Sequence, residues 1–334
     1  MLMMKTRKTV ALIFGGRGYE SEVSLRGEEN IRPIIEEKYN CLPVYIDKSG
    51  RWLVMGKEVF PAKIEGVCGF FCPKGSDFFA VDCAFPLLHG DFGEDGIVQG
   101  ALECASIPYV GCDSRVGAIC RDKAIVKAVA ERLGIPTLPY LLAEPGDNII
   151  LDAEKNIGYP MFIKPTSLGS SVGACEARSK DELVEALEKA FSLCNRVIIE
   201  KLLEPKRELE CGYFKTKCKE LFTNAGEIVY NGGFYDYDRK YKSNGGAAAI
   251  SCANLDSLTN RRIKDYAGRL VRFLGVRDLS RIDFFLSDGE LYFNEINTMP
   301  GFTGGSLYAA MLEGAGVSTS ELISELIEGC LYRG

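Results

Sequence analysis

The chain has 334 residues, enough for two or three domains at roughly 100–200 residues each. Its 40 Lys and Arg against 46 Asp and Glu leave a net charge of −6, without the clustered positive surface that general nucleic-acid binding needs. Hydrophobic residues at 46% and charged residues at 26% exclude extensive disorder, and no apolar run approaches the ~20 residues that span a bilayer. The first apolar run, 10–14, ends in Gly15-Gly16 with no small-residue cleavage site, so it reads as a strand and not as a signal peptide. A helix from Ser24 to about Tyr39, strands at 43–46 and 80–86, a helix near 97–105 and a strand at 107–110 follow. This alternation predicts a parallel, doubly wound α/β sheet.

A second segment opens near Asp113, with a helix from Asp122 to Leu133 stopped by Gly134 and Pro136. A strand at 161–163, a helix opened by the capping box Ser179-x-x-Glu182 and a strand at 197–200 come next. Beyond about Glu204 antiparallel strands dominate, giving an α+β character to the C-terminal part. A helix is expected over roughly 259–273, and a terminal one over 318 to about 331 with Leu322, Ile323, Leu326 and Ile327 on one face. The thirteen cysteines contain no Cys-x-x-Cys pair, and His89 is the sole histidine, so the usual zinc patterns are unavailable. Most of the cysteines read as buried, reduced thiols of a cytoplasmic protein.

Six segments can carry chemistry. Lys164-Pro-Thr-Ser-Leu-Gly169-Ser170-Ser171-Val-Gly173 follows a short strand; its glycines let backbone N–H groups converge on anionic oxygens, and it is not the usual P-loop. It reads equally as a flexible turn. Arg281-Ile-Asp283 and Glu295-Ile-Asn297 flank the Asp288-Gly289 hairpin signal, and alternation puts each set on one strand face. If Asp283 faces Glu295, Phe285 faces Phe293 and the loop has an odd length, such as 288–290, which one bulge satisfies. Asp283, Glu295 and Asn297 then offer hard oxygen ligands suited to Mg²⁺ bridged to phosphates. The bland alternative is a solvated hairpin face. Thr298 to Ser306, through Gly301, reads as a glycine-rich turn into a helix whose free N–H groups suit a carboxylate, or as a simple cap. Gly15-Gly16-Arg-Gly18-Tyr-Glu20 forms a strand–turn–helix corner, and His89 sits between glycines at a strand's carboxyl end. The aromatic segment 234–241, holding Lys240 and Tyr241, reads as a lid or as an exposed loop.

Taken in order, these motifs resemble the D-alanine–D-alanine ligases of the ATP-grasp superfamily, along nearly the whole chain. Carrying the likeness are Gly15-Gly16…Glu20…Val23-Ser24, Leu88-His89-Gly90…Gly93-Glu94-Asp95-Gly96, Gly111-Cys112-Asp113-Ser114…Asp122-Lys123, the 164–173 loop, 234–241, Ser280-Arg281-Ile282-Asp283 and 294–303. The resemblance implies an ATP-grasp fold in three parts. These are an N-terminal Rossmann-like domain (1–112), a central subdomain with the Gly/Ser-rich phosphate loop (113–203) and a C-terminal subdomain with the metal site and lid (204–334). It implies ATP-dependent joining of two D-alanine molecules through an acyl phosphate, for peptidoglycan precursor synthesis, by a cytoplasmic homodimer without nucleic-acid or membrane partners.

Residue by residue, the resemblance makes Lys123 and Lys164 the lysines on the ATP phosphates, with Ser171 and Asn294 also toward the nucleotide. Glu200, Lys201 and Leu203 match the adenine linker, Glu208 the ribose contact and Lys240 the lid lysine. Asp283, Glu295 and Asn297 match a site for two Mg²⁺ (or Mn²⁺). Glu20 matches the carboxylate on the first substrate's ammonium, with Ser170 and Tyr241 as its hydrogen-bonded partners and His89 beside that substrate. Arg281 matches the arginine on the tetrahedral intermediate; Gly301, Ser306 and Leu307 line the second substrate's end. Two positions depart from the family's pattern: Gly305 replaces a larger polar residue of many relatives, and Arg121 stands where methionine is common. Leu307 suits a methyl better than a hydroxyl, favouring D-alanine over D-serine as acceptor, and Tyr241 argues against D-lactate. Another ATP-grasp carboxylate–amine ligase, or a nucleotide-binding regulator without turnover, remains open from sequence.

Overall fold

The computed structural model describes residues 7–230, 247–302 and 306–333, arranged around three sheets. The first is built on β1 (Thr9–Gly15), which pairs in parallel with β2 (Asn40–Ile46) and β7 (Cys83–Leu87). Val10 to Ile13 are all fully buried. A central parallel strand covered on both faces should read as such a continuous apolar run. One face takes α1 (Ser21–Lys38) through Ile31 and Ile35, and the other takes α2 (Ile97–Cys104) through Val98 and Leu102. Ser24 pins the corner, accepting from the Gly15 N–H at 2.8 Å and donating to the Leu87 carbonyl.

The expected alternation holds for this parallel core and needs two adjustments. The strand expected over 80–86 is two: β6 (Asp77–Ala80) ends where Val81 and Asp82 turn the chain into β7. Residues 107–110 form no full strand; Tyr109 makes a single parallel bridge to Ala84. Between β2 and β7, β3 (Trp52–Val54), β4 (Lys57–Ile64), β5 (Val67–Cys72) and β6 extend the sheet as an antiparallel meander. Met55-Gly56 and Glu65-Gly66 make its two tight turns with positive φ at both residues, the twist that two-residue hairpins require.

Past Asp113 come α3 (Ser114–Arg121) and α4 (Lys123–Arg132). Asp122 separates them, its carboxylate accepting from the Ala124 and Ile125 N–H groups at 2.8 and 3.1 Å. This cap places Arg121 and Lys123 on either side of a break in the helix. The second sheet is antiparallel, in the order β10 (Cys175–Ala177), β9 (Met161–Pro165), β11 (Val197–Lys201), β8 (Tyr140–Ala143). It is backed by α5 (Ile150–Asn156) and α6 (Lys180–Phe191). At the start of α6, Ser179 accepts from the Glu182 N–H, while Glu182 reaches back to the N–H of Arg178, one residue before the cap.

The third sheet runs β15 (Ala247–Ile250), β14 (Gly226–Tyr230), β12 (Arg207–Lys215), β16 (Leu279–Ser287), β17 (Glu290–Asn297), with β13 (Glu220–Phe222) paired to β12. Helix α7 (Ser257–Leu274) packs against it, capped by Asp256 and ended by left-handed Gly275. The core of this sheet also takes Val116, Cys120, Val126 and Ala130 from α3 and α4. Helix α8 (Leu307–Gly314) and the terminal α9 (Thr319–Arg333) follow; Leu322, Ile323, Leu326 and Ile327 of α9 pack on α1 and β7, the face that the periodicity predicts. No helix among the described residues is long and apolar enough to cross a membrane, and all thirteen cysteines are free.

Candidate active site

A cleft of about 500 Å³ lies where the three sheets meet. Its floor is the β16–β17 hairpin. Arg281 faces Asn297 and Asp283 faces Glu295, so these four side chains share one face. The pairing then shifts: Phe284 faces Phe293 and Phe285 faces Tyr292, one residue off the expected register. The turn closes in two residues, Asp288 and Gly289, both at positive φ. The extra residue required by parity is therefore Asn294, bulged out of the ladder. Its Oδ1 accepts from Lys164 Nζ at 3.1 Å, so the bulge aims a polar group at the cleft.

The metal-type donors are held by cations. Arg281 grips Asp283 through both oxygens at 2.8 and 2.7 Å and reaches Glu210 at 3.3 Å. Asn297 donates to Asp283 at 3.2 Å, and Lys123 stands 3.4 Å from Glu295. Among the described residues no group of three His, Cys, Asp or Glu side chains gathers closely enough to hold a metal ion alone. The two carboxylates and one amide of the hairpin leave remaining positions to water or phosphate oxygens, the usual arrangement for Mg²⁺.

Across from the hairpin stands a lysine wall. Lys123 is 6% exposed, donates to the Leu168 carbonyl at 2.7 Å, and has its pKa lowered by burial. Lys164 lies 2.7 Å from one Glu200 oxygen, and the fully buried Lys127 lies 2.7 Å from the other. Glu200 is 1% exposed; burial alone would raise its pKa, but the two lysines hold it down at about 2. Its side chain thus ties two lysines together. Lys201 donates to the carbonyls of Gly158 and Tyr159, Leu203 lines the cleft, and Glu208 sits 3.2 Å from Lys206. Sequence reading missed Lys127, Glu210 and Lys206. A lysine one helical turn after Lys123 ordinarily marks a solvated face, and only the buried Glu200 opposite explains it.

At the other end, Ser170 donates to Glu20 Oε1, linking the 164–173 loop to the start of α1. Ser170, Ser171 and Gly173 all have positive φ, so this loop curls over the cleft through successive left-handed residues. A Cβ on Gly169 would stand 2.9 Å from Arg121 Nη1 and 3.3 Å from Glu20 Oε2, so a side chain there would push these two charged ends aside. His89 is 8% exposed, its Nδ1 3.0 Å from the Met299 carbonyl. A carbonyl only accepts, so Nδ1 carries the proton and Nε2 is a lone-pair acceptor; burial lowers the pKa and keeps the ring neutral. Gly301, Ser306 and Leu307 line the far side. The Ser306 hydroxyl donates to the Gly301 carbonyl and does not cap α8, whose first turn therefore lacks a side-chain cap. Lys240, Tyr241 and Gly305 lie outside the described residues.

The cleft thus joins an oxygen-rich hairpin, a lysine wall and a serine–glycine loop beside a carboxylate. Comparison with known proteins gives this arrangement a family. Models described as D-ala D-ala ligase N-terminus and C-terminus match residues 71–112 and 129–328. A D-alanine--D-alanine ligase of Caldicellulosiruptor bescii is 36% identical, the match covering 96% of this chain and 94% of that protein.

The chain belongs to the D-alanine–D-alanine ligase family.

Among solved structures, D-alanyl-alanine synthetase A of Vibrio cholerae superposes with a TM-score of 0.89 at 32% identity, covering 98% of this chain and 99% of that one. The VanG D-Ala:D-Ser ligase of Enterococcus faecalis gives 0.87, also at 32% identity, covering 97% and 100%. Membership of the ligase family assigns the fold: ATP-grasp sheets behind a mixed N-terminal sheet.

Proposed function

We propose that the protein joins two D-alanine molecules at the expense of ATP, supplying D-alanyl-D-alanine for peptidoglycan precursors. The single observation that carries this reading is the convergence of Asp283, Glu295 and Asn297 with Lys123 and Lys164 on one cleft that ends at Glu20 and Ser170. A carboxylate is a poor electrophile. Attack of the donor carboxylate oxygen on the γ-phosphorus expels ADP and makes an acyl phosphate. The acceptor's amine then attacks the acyl carbon, loses a proton and expels phosphate.

In this reading Lys123 and Lys164, with Ser171 and the Asn294 amide, hold the phosphates. The backbone of Glu200, Lys201 and Leu203 receives the adenine and Glu208 the ribose. The donor set of Asp283, Glu295 and Asn297 suits two Mg²⁺ (or Mn²⁺) ions, which would spread the charge of the transferring phosphoryl group. Glu20, which accepts from Ser170, pairs with the donor's ammonium, and the family's pattern assigns Tyr241 to the same substrate. The neutral His89 offers a lone pair at the same place. Arg281 stabilises the oxyanion as the amine adds. Gly301 and Ser306 receive the acceptor's carboxylate at the uncapped start of α8, and Leu307 contacts its methyl. Lys240 closes over the phosphates, since an acyl phosphate must be kept from water.

We read the chain as the three units 1–112, 113–203 and 204–334, one sheet each, forming a homodimer, which sedimentation tests. Thirteen unpaired thiols support a cytoplasmic site of action. The decisive experiment is phosphate release from ATP with purified protein, with product mass measured under mixed D-amino acids. D-alanine-dependent release with D-alanyl-D-alanine as product is expected. A mixed D-alanyl-D-serine product would move the acceptor assignment, and ATP binding without release would reject catalysis.

A further inference from the structure

Arg121 ends α3 at the inner edge of the cleft, and its side chain is only 10% exposed. The guanidinium reaches Asp91 at 3.0 Å and Glu94 at 3.2 Å, both on the turn after β7. Glu94 in turn accepts from the Gly90 N–H at 3.1 Å. Two glycines show how close the third carboxylate lies. A Cβ on Gly169 would meet both Arg121 Nη1 and Glu20 Oε2, and a Cβ on Gly90 would come within 2.6 Å of Glu20 Oε2 and 3.8 Å of Arg121 Nη2. One guanidinium therefore faces Glu20, Asp91 and Glu94, with Gly90 and Gly169 packed directly against the charged ends. Its Nε is buried and has no hydrogen-bond partner among the described residues, so the group is held by its two terminal nitrogens alone.

We propose that Arg121 is a positioning residue for the donor amino acid, clamping the turn at 90–95 against the serine–glycine loop and setting the charge around Glu20. This rests on the reading of Glu20 as the ammonium partner. Without Arg121 three carboxylates, the buried Glu94 and the half-buried Glu20 and Asp91, crowd one corner. The proton that this cluster holds then persists to higher pH, and the incoming ammonium must displace it. The charged and titratable groups facing the cluster are Glu20 from the start of α1, His89, Asp91 and Glu94 from the turn, Lys123 from α4 and Arg281 from β16. Burial already holds Glu94 at about 7 with the guanidinium in place. A methionine fills the same space without charge, so Arg121→Met removes the electrostatic role while conserving bulk.

The test is a set of initial rates for the wild type, Arg121→Met, Arg121→Lys and Glu20→Gln, fitted with separate donor and acceptor constants across pH. Arg121→Met is expected to raise the donor KM about tenfold at neutral pH and to move the acid limb of donor kcat/KM up by about one pH unit. Its acceptor KM and ATP KM should stay within about twofold. Arg121→Lys should restore the acid limb, because it restores the charge, while keeping a raised donor KM through the lost fork. A uniform fall in every parameter with a lowered melting temperature would mean a structural role and would overturn the proposal. So would an unmoved acid limb in Arg121→Met. Glu20→Gln separates the two readings: if it leaves the donor KM unchanged, the assignment of Glu20 fails and takes this inference with it. If it raises the donor KM and Arg121→Met does not, this inference alone fails.

Discussion

At the phosphate end of the cleft, Glu200 is clasped between two lysines, each 2.7 Å away, whereas at the amino-acid end one arginine answers three carboxylates. The first region has an excess of positive charge, which on the proposed function faces the ATP phosphates, and the second an excess of negative charge, which on that reading faces the donor's ammonium. Lys127, Lys164 and Glu200 are buried, whereas at the other end Glu94 is buried and Glu20 and Asp91 are half-buried. The two ends also differ in scaffold. The lysine wall stands on strands and a helix, while the amino-acid corner is built from left-handed loop residues and close-packed glycines.

The largest effect is expected where the charge belongs to the proposed metal donors. Glu295→Gln at the hairpin should lower kcat by about a thousandfold, with the fold kept, as read by circular dichroism beside phosphate release. Near-wild-type turnover would remove Glu295 from the metal site. Lys127→Met probes the paired end. It leaves Glu200 buried beside Lys164 alone, and breaking such a pair costs about 3–5 kcal/mol, measured as a shift in the denaturant midpoint. If Lys127 served only to cover the surface, the midpoint would hold.

A smaller effect is expected at the acceptor end. The Ser306 hydroxyl donates to the Gly301 carbonyl, and on the proposed function it receives the acceptor's carboxylate. Ser306→Ala should raise the acceptor KM about tenfold, with the donor KM and the ATP KM little changed. Equal changes in both amino-acid constants would argue that the residue shapes the whole cleft.

These regions were not equally legible in the sequence. Alternation puts Arg281 with Asp283, and Glu295 with Asn297, on one face of each strand, but whether Asp283 lies opposite Glu295 depends on a bulge. The bulge at Asn294 is invisible in that reading: the parity of the loop demands one extra residue but does not say where it sits. Lys127 and Glu200 could not be paired from sequence, since burial of two opposite charges is settled by tertiary packing. The meander of β3 to β6 escaped because its strands are short and its turns are Met55-Gly56 and Glu65-Gly66, without the Asn-Gly or Asp-Gly signal. The Arg121 cluster was legible only as a departure from the family's usual methionine; its three partners come from distant segments.

The gentlest test uses pH, because the two ends respond to it with opposite sign. Glu200 is held at about 2 by its lysines against an ordinary value near 4.5, so the stability that it contributes is present above 4.5 and is lost as pH falls toward 2. Glu94 is the reverse: burial first, and the nearby Glu20 charge, push it up to about 7 despite Arg121. The folded state then holds a proton that the unfolded chain has released, and stability declines as pH rises from about 4.5 through 7. Glu94→Gln cannot ionise and can still accept from the Gly90 N–H. The variant should therefore lose the decline between about 4.5 and 7 while keeping the acid-side loss that belongs to Glu200. Urea midpoints at half-unit pH intervals read both limbs in one series. An identical neutral-side slope in the variant would mean that Glu94 is ionised throughout, and that Arg121 neutralises its corner as fully as the lysines neutralise Glu200.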